Sequence, residues 1–329
     1  MAPPTLPVTA RRAVIDVGTN SVKLLVADLT GAEVQPVLEQ SEQTRLGAGF
    51  FQTHQLQPGA IADTARAVAD FATLARRHGA AGIRVIATSA ARDARNATEL
   101  TDAIHTAAGL VVEVISGAQE ADWAFQGVTS GPALARLPLL LLDVGGGSTE
   151  FILGCAGRQS FRHSYQLGTV RLLEGQTHAD PPGPTALAEC RRAIREFLVG
   201  EVLPRLGPAL AEERGRRQAA DAPVALVGTG GSSTILARMR LQQAGFDREA
   251  IENTRLSLAD IRELVERLWN QPLAERQKIP GLPPNRADVI LPGCAIYEGI
   301  MTTFDFAELR VSTRGLRFAA VMDEPGGTG

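Results

Sequence analysis

The stretch Asp16-Val17-Gly18-Thr19-Asn20-Ser21 lies between two apolar runs, and its pattern returns at Asp143-Val144-Gly145-Gly146-Gly147-Ser148-Thr149-Glu150. Each copy predicts a strand, a tight glycine turn that carries an acid and a hydroxyl, and a returning strand. Glycine lets backbone N–H groups approach an anion, and an acid at a strand end can hold a hydrated Mg²⁺. One copy alone would be compatible with a plain hairpin turn. The repetition favours two similar domains that face each other across a phosphate-binding cleft.

Composition narrows the class of protein. The chain has 329 residues, of which 44% are hydrophobic, and its net charge is −3. This length fits about two domains, and the slight acidity disfavours nucleic acid as a partner. The three cysteines are far apart and show no disulfide or zinc spacing, which favours a reducing compartment. Because the apolar run at 137–142 is too short to cross a bilayer, we expect a cytoplasmic protein with no membrane partner.

Strands and helices alternate along the chain, which predicts an α/β fold with mixed sheets. Helical periodicity is seen at 61–78, 97–108, 119–128, 186–206, 258–268, 287–304 and 315–322. Further strands are predicted at 83–87, 111–115, 160–167 and 224–227. Two polar stretches remain: 39–45 is expected to be a connector, and 211–222 a loop or a solvated helix end.

A third glycine loop, Gly228-Thr229-Gly230-Gly231-Ser232, lies between a predicted strand and a predicted helix. Free N–H groups and the positive end of a helix dipole meet there, so the loop is a candidate anion site. The alternative is a tight strand-to-helix turn. The loop is neither a G-x-G-x-x-G sequence nor a Walker loop, because no lysine follows the glycines.

Three charged residues could be functional or merely structural when each is considered in its local context. Glu120 stands where a strand ends and a helix begins, and such an acid often only caps the helix. Glu150 follows the second glycine turn in a strand and could face solvent. Arg92 follows two hydroxyl residues, and its guanidinium could bind two phosphate oxygens or simply lie on the surface.

Taken together, the motifs resemble those of the exopolyphosphatase/guanosine pentaphosphate phosphatase (Ppx/GppA) family, within the actin-like ATPase and sugar kinase superfamily. The matching stretches are 14–21, 87–96, 114–121, 142–150, 228–233, 279–282, 286–288 and 312–317. The resemblance implies two actin-like (ribonuclease H-like) domains with an interdomain cleft. The first would span 12–131 with a C-terminal helix at about 310–322, and the second 132–309.

The resemblance also implies roles for single residues. Glu120 would orient or deprotonate the attacking water, which reverses its local interpretation, and Asp143 and Glu150 would bind a metal or share the acid/base work. The metal would be Mg²⁺, with Mn²⁺ as an alternative, and Asp16 would be a further ligand. Phosphates would be held by Thr19, Asn20, Ser21, Arg92, Gly145, Gly146, Gly147, Ser148, Gly228, Thr229, Gly230, Gly231 and Ser232. Phosphoryl transfer requires charge neutralisation and an in-line water, and these residue types supply both.

The sequence departs from the family pattern in two places. The family's terminal motif often reads G-L-R-E-G, whereas Gly315-Leu316-Arg317 is followed here by Phe318-Ala319. The chain also ends near the end of the two-domain core, so we expect none of the substrate contacts made by the extra helical domains of longer members.

The expected reaction is removal of the terminal phosphate of inorganic polyphosphate by water. Hydrolysis of guanosine pentaphosphate to tetraphosphate is the alternative, since the motifs do not separate the two. Two rivals stay open: an ATP-dependent phosphotransferase, which the fold permits, and a protein that binds polyphosphate or an alarmone without turnover. Polyphosphate or guanosine pentaphosphate is the expected partner, and a second copy of the chain in a homodimer is a further candidate.

Overall fold

A computed structural model describes residues 10–175, 179–218 and 223–323. The chain divides into two compact units: unit 1 is the chain up to Gln119 together with the segment from Leu316 onward, and unit 2 is Glu120–Gly315. The sequence prediction places the boundary between residues 131 and 132. In the structure the division falls inside the helix Gly117–Thr129.

Unit 1 is built on a five-stranded mixed sheet with the strand order β3-β2-β1-β4-β5. The three antiparallel strands β1, β2 and β3 form a meander, whereas β4 and β5 run parallel to β1. The central strands are almost continuously apolar because helices cover the sheet. The strands are β1 Ala10–Val17, β2 Val22–Thr30, β3 Glu33–Glu42, β4 Gly82–Ala87 and β5 Val112–Val114.

The longest helix of unit 1 begins at a proline and buries one alanine-rich face. Pro58 is the first residue of this helix, where its missing N–H is not needed. The helices that lie wholly in unit 1 are α1 Phe50–Thr53, α2 Pro58–Arg77, α3 Ser89–Asp93, α4 Ala97–Ala108 and α14 Leu316–Ala320. Helix α5 spans Gly117–Thr129. The last helix returns to the first sheet, where the Arg317 guanidinium donates to the Leu24 carbonyl (2.8 Å) and pairs with Glu39 (3.2 Å).

Unit 2 repeats the same plan with one strand more. Its sheet has the order β10-β11-β9-β6-β7-β8. Strands β6, β7 and β8 form an antiparallel meander, β9 and β11 run parallel to β6, and β10 is antiparallel to β11 at the edge. The strands are β6 Leu139–Val144, β7 Thr149–Cys155, β8 Arg158–Tyr165, β9 Ala225–Thr229, β10 Arg255–Ser257 and β11 Glu308–Val311.

Helices of unit 2 pack on this sheet around a core of its own. They are α6 Thr169–Glu174, α7 Gly183–Phe197, α8 Leu203–Gln218, α9 Gly230–Leu241, α10 Arg248–Asn253, α11 Leu258–Trp269, α12 Leu273–Arg276 and α13 Ile290–Thr303. A π-helical turn, Leu198–Val202, joins α7 to α8, and Pro284–Arg286 is a 3₁₀ turn. Helix α11 begins at a capping box in which Ser257 and Asp260 bond each other's backbone N–H groups.

The two sheets share one connectivity, because β3-β2-β1-β4-β5 in unit 1 corresponds to β8-β7-β6-β9-β11 in unit 2. Each unit also has a separate hydrophobic core. The predicted fold class, α/β with two actin-like units, is therefore confirmed.

Two stretches differ from the sequence prediction. The polar connector expected at 39–45 is wrong for its first part, because residues 39–42 belong to the edge strand β3. Pro36 lies in this strand beside a register shift, opposite Ala27, and an edge strand tolerates a proline at such a bulge. The polar stretch 211–222 is helical as far as Gln218, and 219–222 lie outside the described residues.

Across the described segments, we find no helix with the length and hydropathy that spanning a bilayer requires.

Candidate active site

Four polar residues stand side by side across the sheet of unit 2. Asp143 at the end of β6 is paired with Glu150 on β7 and with Thr229 on β9. Glu150 is in turn paired with Ser164 on β8. Directly paired residues project from the same face of a sheet. The register therefore places two carboxylates and two hydroxyls in one row.

Glu150 is the most deeply buried carboxylate of this row, with 1% of its surface exposed. Its Oε1 accepts hydrogen bonds from the Ser148 hydroxyl (2.9 Å) and the Ser164 hydroxyl (2.7 Å). Burial raises the pKa of Glu150 well above the usual value, and the charges of Glu120 and Asp143 raise it further. The local interpretation of Glu150 as a solvent-facing residue is therefore wrong.

Glu120 joins this cluster from helix α5. It lies in the first turn of that helix, and 6% of the residue is exposed. After burial, its charge is the largest cause of the raised pKa of Glu150. Three carboxylates from one helix and two strands thus share a single electrostatic environment. Such a cluster favours a bound cation or a retained proton.

The Gly145–Gly147 turn is held in place by helix α6. The turn is closed by the Gly145 N–H, which donates to the Ser148 carbonyl (2.9 Å). The Gly145 and Gly146 carbonyls accept from the N–H groups of Thr169 and Val170, at 3.0 and 2.9 Å. Gly168 makes this packing possible, because a Cβ there would lie 2.3 Å from the Gly146 carbonyl oxygen.

The third glycine loop packs directly against Asp143. Gly230 has a positive φ of 83°, and a Cβ on it would lie 2.4 Å from Asp143 Oδ1. Helix α9 starts at this glycine, and its N-cap residue, Thr229, makes no side-chain capping bond. The Thr229 hydroxyl donates instead to the Arg314 carbonyl (2.6 Å). The first N–H groups of a 12-residue helix therefore lie beside a carboxylate, an arrangement suited to a phosphate and a cation together.

Tyr297 of helix α13 packs against the Gly228–Ser232 loop. A Cβ on Gly228 would meet the Tyr297 hydroxyl at 2.8 Å and the Ser233 Cβ at 2.9 Å. The loop is also linked to the preceding turn, since the Ser232 hydroxyl donates to the Val144 carbonyl (3.4 Å). Both predicted phosphate loops of unit 2 thus flank the three carboxylates.

In unit 1, the predicted phosphate residues Thr19, Asn20 and Ser21 are all buried. The Thr19 carbonyl accepts from the Gly47 N–H (2.7 Å), and a Cβ on Gly47 would lie 2.3 Å from Thr19 Cγ2. The Asn20 side-chain oxygen accepts from Gln43 (3.1 Å). The first turn is therefore fixed by the segment that follows β3.

Arg92 lies at the end of the short helix α3, also in unit 1. Its Nη1 donates to the Ile115 carbonyl (3.1 Å), and its Nε lies 3.9 Å from Asp93 Oδ1. Its side chain is 23% exposed. The guanidinium is therefore held by a backbone carbonyl and is partly exposed. This excludes the interpretation of Arg92 as an unattached surface residue.

Asp16 occupies in unit 1 the position that Asp143 occupies in unit 2, but its neighbour differs. Asp16 is paired with Lys23, whereas Asp143 is paired with Glu150. Burial raises the pKa of Asp16, and the charges of Lys23 and Arg317 oppose that shift. Its buried Oδ1 accepts no hydrogen bond from the described residues. Of these two positions, Asp143 in unit 2 is the one that faces another carboxylate.

Sequence reasoning missed three residues that shape the site: Ser164, Gly168 and Tyr297. Ser164 could have been found by aligning the predicted strand 160–167 against β7. Gly168 directly follows that strand, and a glycine there signals close packing. No local pattern marks Tyr297, because its role depends on the packing of α13 against the Gly228 loop.

Comparisons with known proteins identify the family of this chain. A sequence model of the Ppx/GppA phosphatase family matches residues 25–324. The chain is 36% identical over 297 residues to exopolyphosphatase 2 of Mycobacterium tuberculosis, which covers 88% of this chain and 89% of that protein.

Solved structures show the same fold. An exopolyphosphatase from Cytophaga hutchinsonii superposes with a TM-score of 0.81 at 27% identity, covering 94% of this chain and 96% of the other. The Ppx-GppA enzyme of Aquifex aeolicus gives a TM-score of 0.74 at 27% identity, covering 96% and 100%. From the family match and the identity to its relatives, we conclude that the chain belongs to the Ppx/GppA phosphatase family.

Proposed function

We propose that the protein is an exopolyphosphatase that removes the terminal phosphate of inorganic polyphosphate. The observation that carries this proposal is the cluster of Glu120, Asp143 and Glu150 between two glycine loops. The M. tuberculosis relative is named an exopolyphosphatase, and membership of a family of phosphatases fits a hydrolase of phosphoanhydride bonds.

The reaction needs a base, an in-line water and a site for the phosphate charges. In the proposed mechanism, Glu120 accepts a proton from water while the water oxygen forms a bond to the terminal phosphorus. The bond from that phosphorus to the bridging oxygen breaks, so orthophosphate leaves and the chain is one unit shorter. Backbone N–H groups at the start of α9 and in the Gly145 turn hold the phosphate oxygens.

Glu150 serves this mechanism indirectly. Its raised pKa favours a retained proton at a pH where an ordinary carboxyl has lost it. A protonated Glu150 adds no negative charge beside Glu120 and Asp143, so those two carboxylates stay available for the water and for a cation. The hydroxyls of Ser148 and Ser164 fix its orientation.

Mg²⁺, with Mn²⁺ as the alternative, is the proposed cofactor. Asp143 would hold it in unit 2, and Glu150 would join as a second ligand once its retained proton is displaced. The chemistry the ion would supply is neutralisation of phosphate charge. The described residues contain no group of three or more histidines, cysteines or acids arranged to hold a metal. This fits Mg²⁺, which is usually bound through one or two carboxylates, water and substrate phosphates. The assignment of Asp16 to the metal stays a prediction.

The test measures orthophosphate release from long-chain polyphosphate and, separately, from guanosine pentaphosphate, with and without Mg²⁺. We expect Glu120→Gln to lower kcat for polyphosphate by about 10²–10⁴-fold, the usual contribution of a general base. Glu263→Gln, which alters an exposed glutamate of helix α11, is the matched control and should keep full activity.

The outcomes separate the alternatives. Release from guanosine pentaphosphate alone would replace the polymer by the nucleotide as substrate. Phosphate transfer that requires an acceptor other than water would indicate a phosphotransferase. Binding of polyphosphate with no release under any condition would indicate a protein that only binds it.

A further inference from the structure

A cavity in unit 2 lies at the β10 edge of the sheet, away from the cluster of carboxylates. Its volume is about 320 Å³, which is at the lower end of the range for small-molecule sites, about 300–1,000 Å³. Strand β11 and helix α10 contribute most of its charged wall, and the turn that follows α5 contributes an apolar wall. No predicted site residue lines it.

Two arginines of this cavity face each other across the last two strands. Arg255 on β10 is paired directly with Arg310 on β11, and like charges placed opposite each other destabilise a sheet. Both share one carboxylate, Glu308, at 3.6 and 3.5 Å. Burial and the charge of Arg310 both lower the pKa of Arg255. One carboxylate for two guanidinium groups leaves a positive charge at this pair, which an anion between them would balance. The other charges of the cavity lie on helix α10, where Arg248 pairs with Glu252 (3.9 Å) and Glu249 adds a negative charge.

The rest of the cavity favours a ligand with more than an anionic group. Ala133, Leu134 and Val311 offer apolar surface, whereas Glu249 and Asn253 offer hydrogen-bond acceptors. A bare polyphosphate chain carries no donors for these acceptors and no apolar part. A nucleoside monophosphate has all three features: a phosphate, hydroxyl and amino donors, and a flat ring.

The cavity is connected to the candidate phosphate loop through strand β11. Val311 is paired with Gly228, and the next residue, Ser312, donates its N–H to the Gly228 carbonyl (2.9 Å). The Thr313 N–H donates to Glu252, a residue of the cavity wall (3.1 Å). A ligand that moves the wall would therefore act on the backbone that holds Gly228 and Thr229.

We propose that this cavity is an effector site for a phosphorylated ligand of nucleoside-monophosphate size. The phosphate lies between Arg255 and Arg310, the ring lies on the apolar wall, and binding changes the rate of hydrolysis through β11. This inference goes beyond the proposed function, because it concerns a site that no catalytic residue enters.

The test titrates the full chain with adenosine 5′-monophosphate by calorimetry, and then measures phosphate release with and without that nucleotide. We expect Arg255→Gln with Arg310→Gln to weaken binding at least ten-fold and to abolish the effect on rate, while activity without nucleotide is unchanged. Arg267→Gln, which alters an exposed arginine of helix α11, is the control. Equal thermal unfolding temperatures would show that the variants are folded.

Several results would overturn the proposal. These are no binding of the nucleotide, equal affinity in the native and doubly substituted chains, binding of inorganic phosphate as tight as that of the nucleotide, or binding without any change in rate. The calorimetric measurement does not depend on turnover. It therefore stays interpretable if the chain proves not to hydrolyse polyphosphate.

Discussion

At the scale of the residue, the chemistry of this protein depends on which side chain faces which across a strand pair. The two glycine turns place an acid at the end of the first strand of each sheet, at Asp16 and Asp143. The partner across the hairpin is Lys23 in one case and Glu150 in the other. The acid of the first turn therefore faces a positive charge, whereas the acid of the second turn faces another carboxylate and belongs to a carboxylate cluster.

The raised pKa of Glu150 has a consequence for stability. A carboxyl whose pKa is raised on folding binds its proton more tightly in the folded protein, so stability falls as pH rises from the ordinary carboxyl range through the folded pKa. Without metal or substrate, we expect the native chain to lose up to about 1.4 kcal/mol per pH unit in that interval from this group. Glu150→Gln should remove this slope, as measured by urea unfolding from pH 4 to 8.

The control is Glu263→Gln, whose pH dependence should match that of the native chain. Identical slopes for the native chain and Glu150→Gln would contradict the assignment of the raised pKa to this carboxyl.

Gly230 tests the packing of the third loop on Asp143. In Gly230→Ala the left-handed backbone alone costs about 1–2 kcal/mol, and the new Cβ would collide with Asp143 Oδ1. We expect a lower free energy of unfolding together with a large loss of phosphate release. Gly231→Ala is the matched control for stability, because a Cβ there meets nothing within 4 Å and alanine favours a helix. Equal unfolding free energies for the two variants would refute this account of the loop.

At the scale of the element, strong local signals were predictable and weak ones were not. The apolar strands β1 and β6, the glycine turns that follow them and helix α4 could be predicted because periodicity and turn chemistry act locally. Strand β3 was missed, since Pro36 and a run of polar residues are tolerated only at a sheet edge. Strand β11, Glu308–Val311, is too short to be recognised by its own alternation.

The candidate site shows the same division. The acids and glycines of the loops could be predicted from sequence, because each lies in a recognisable turn. The burial of Glu150, its bond from Ser164 and the packing of Tyr297 on Gly228 depend on tertiary contacts and strand register. No local pattern specifies these.

Helix α6 gives an element-scale prediction. Its N-terminus donates to the carbonyls of the Gly145–Gly147 turn, and Gly168 lies against that turn with no room for a side chain. We expect Gly168→Ala to displace the turn and to lower kcat for phosphate release at least ten-fold. Gly175→Ala, at the other end of the same helix, should retain activity because its Cβ would come no closer than 3.6 Å to the atoms it meets. Full activity in Gly168→Ala would show that the turn adapts.

At the scale of the whole molecule, unit 1 is assembled from both ends of the chain. Arg317 in α14 bonds the Leu24 carbonyl and Glu39, and Arg84 donates to the Ala320 carbonyl (3.1 Å). These partners are more than two hundred residues apart in sequence. Helix α14 is therefore hydrogen-bonded to the first sheet and completes unit 1.

Arg317→Met tests whether the attachment of helix α14 stabilises the first sheet. A hydrogen bond from a charged group contributes about 1.5–3 kcal/mol, so we expect faster amide hydrogen exchange in β1 and β2 and unchanged exchange in β6 and β9. Arg77→Met, at an exposed position of helix α2, serves as the control. Exchange that rises equally in both sheets would contradict a role confined to unit 1.

The return of the chain to its first sheet also sets an order of events during synthesis. Domains usually complete in the order in which the ribosome makes them, at about 5–20 residues per second. Here the unit that begins first ends last, because its final helix is made only after all of unit 2. Strands β1 and β2 must therefore wait tens of seconds for Arg317, with the apolar side chains that α14 later covers open to chaperones. We therefore expect the speed of translation through residues 120–315 to influence how unit 1 folds.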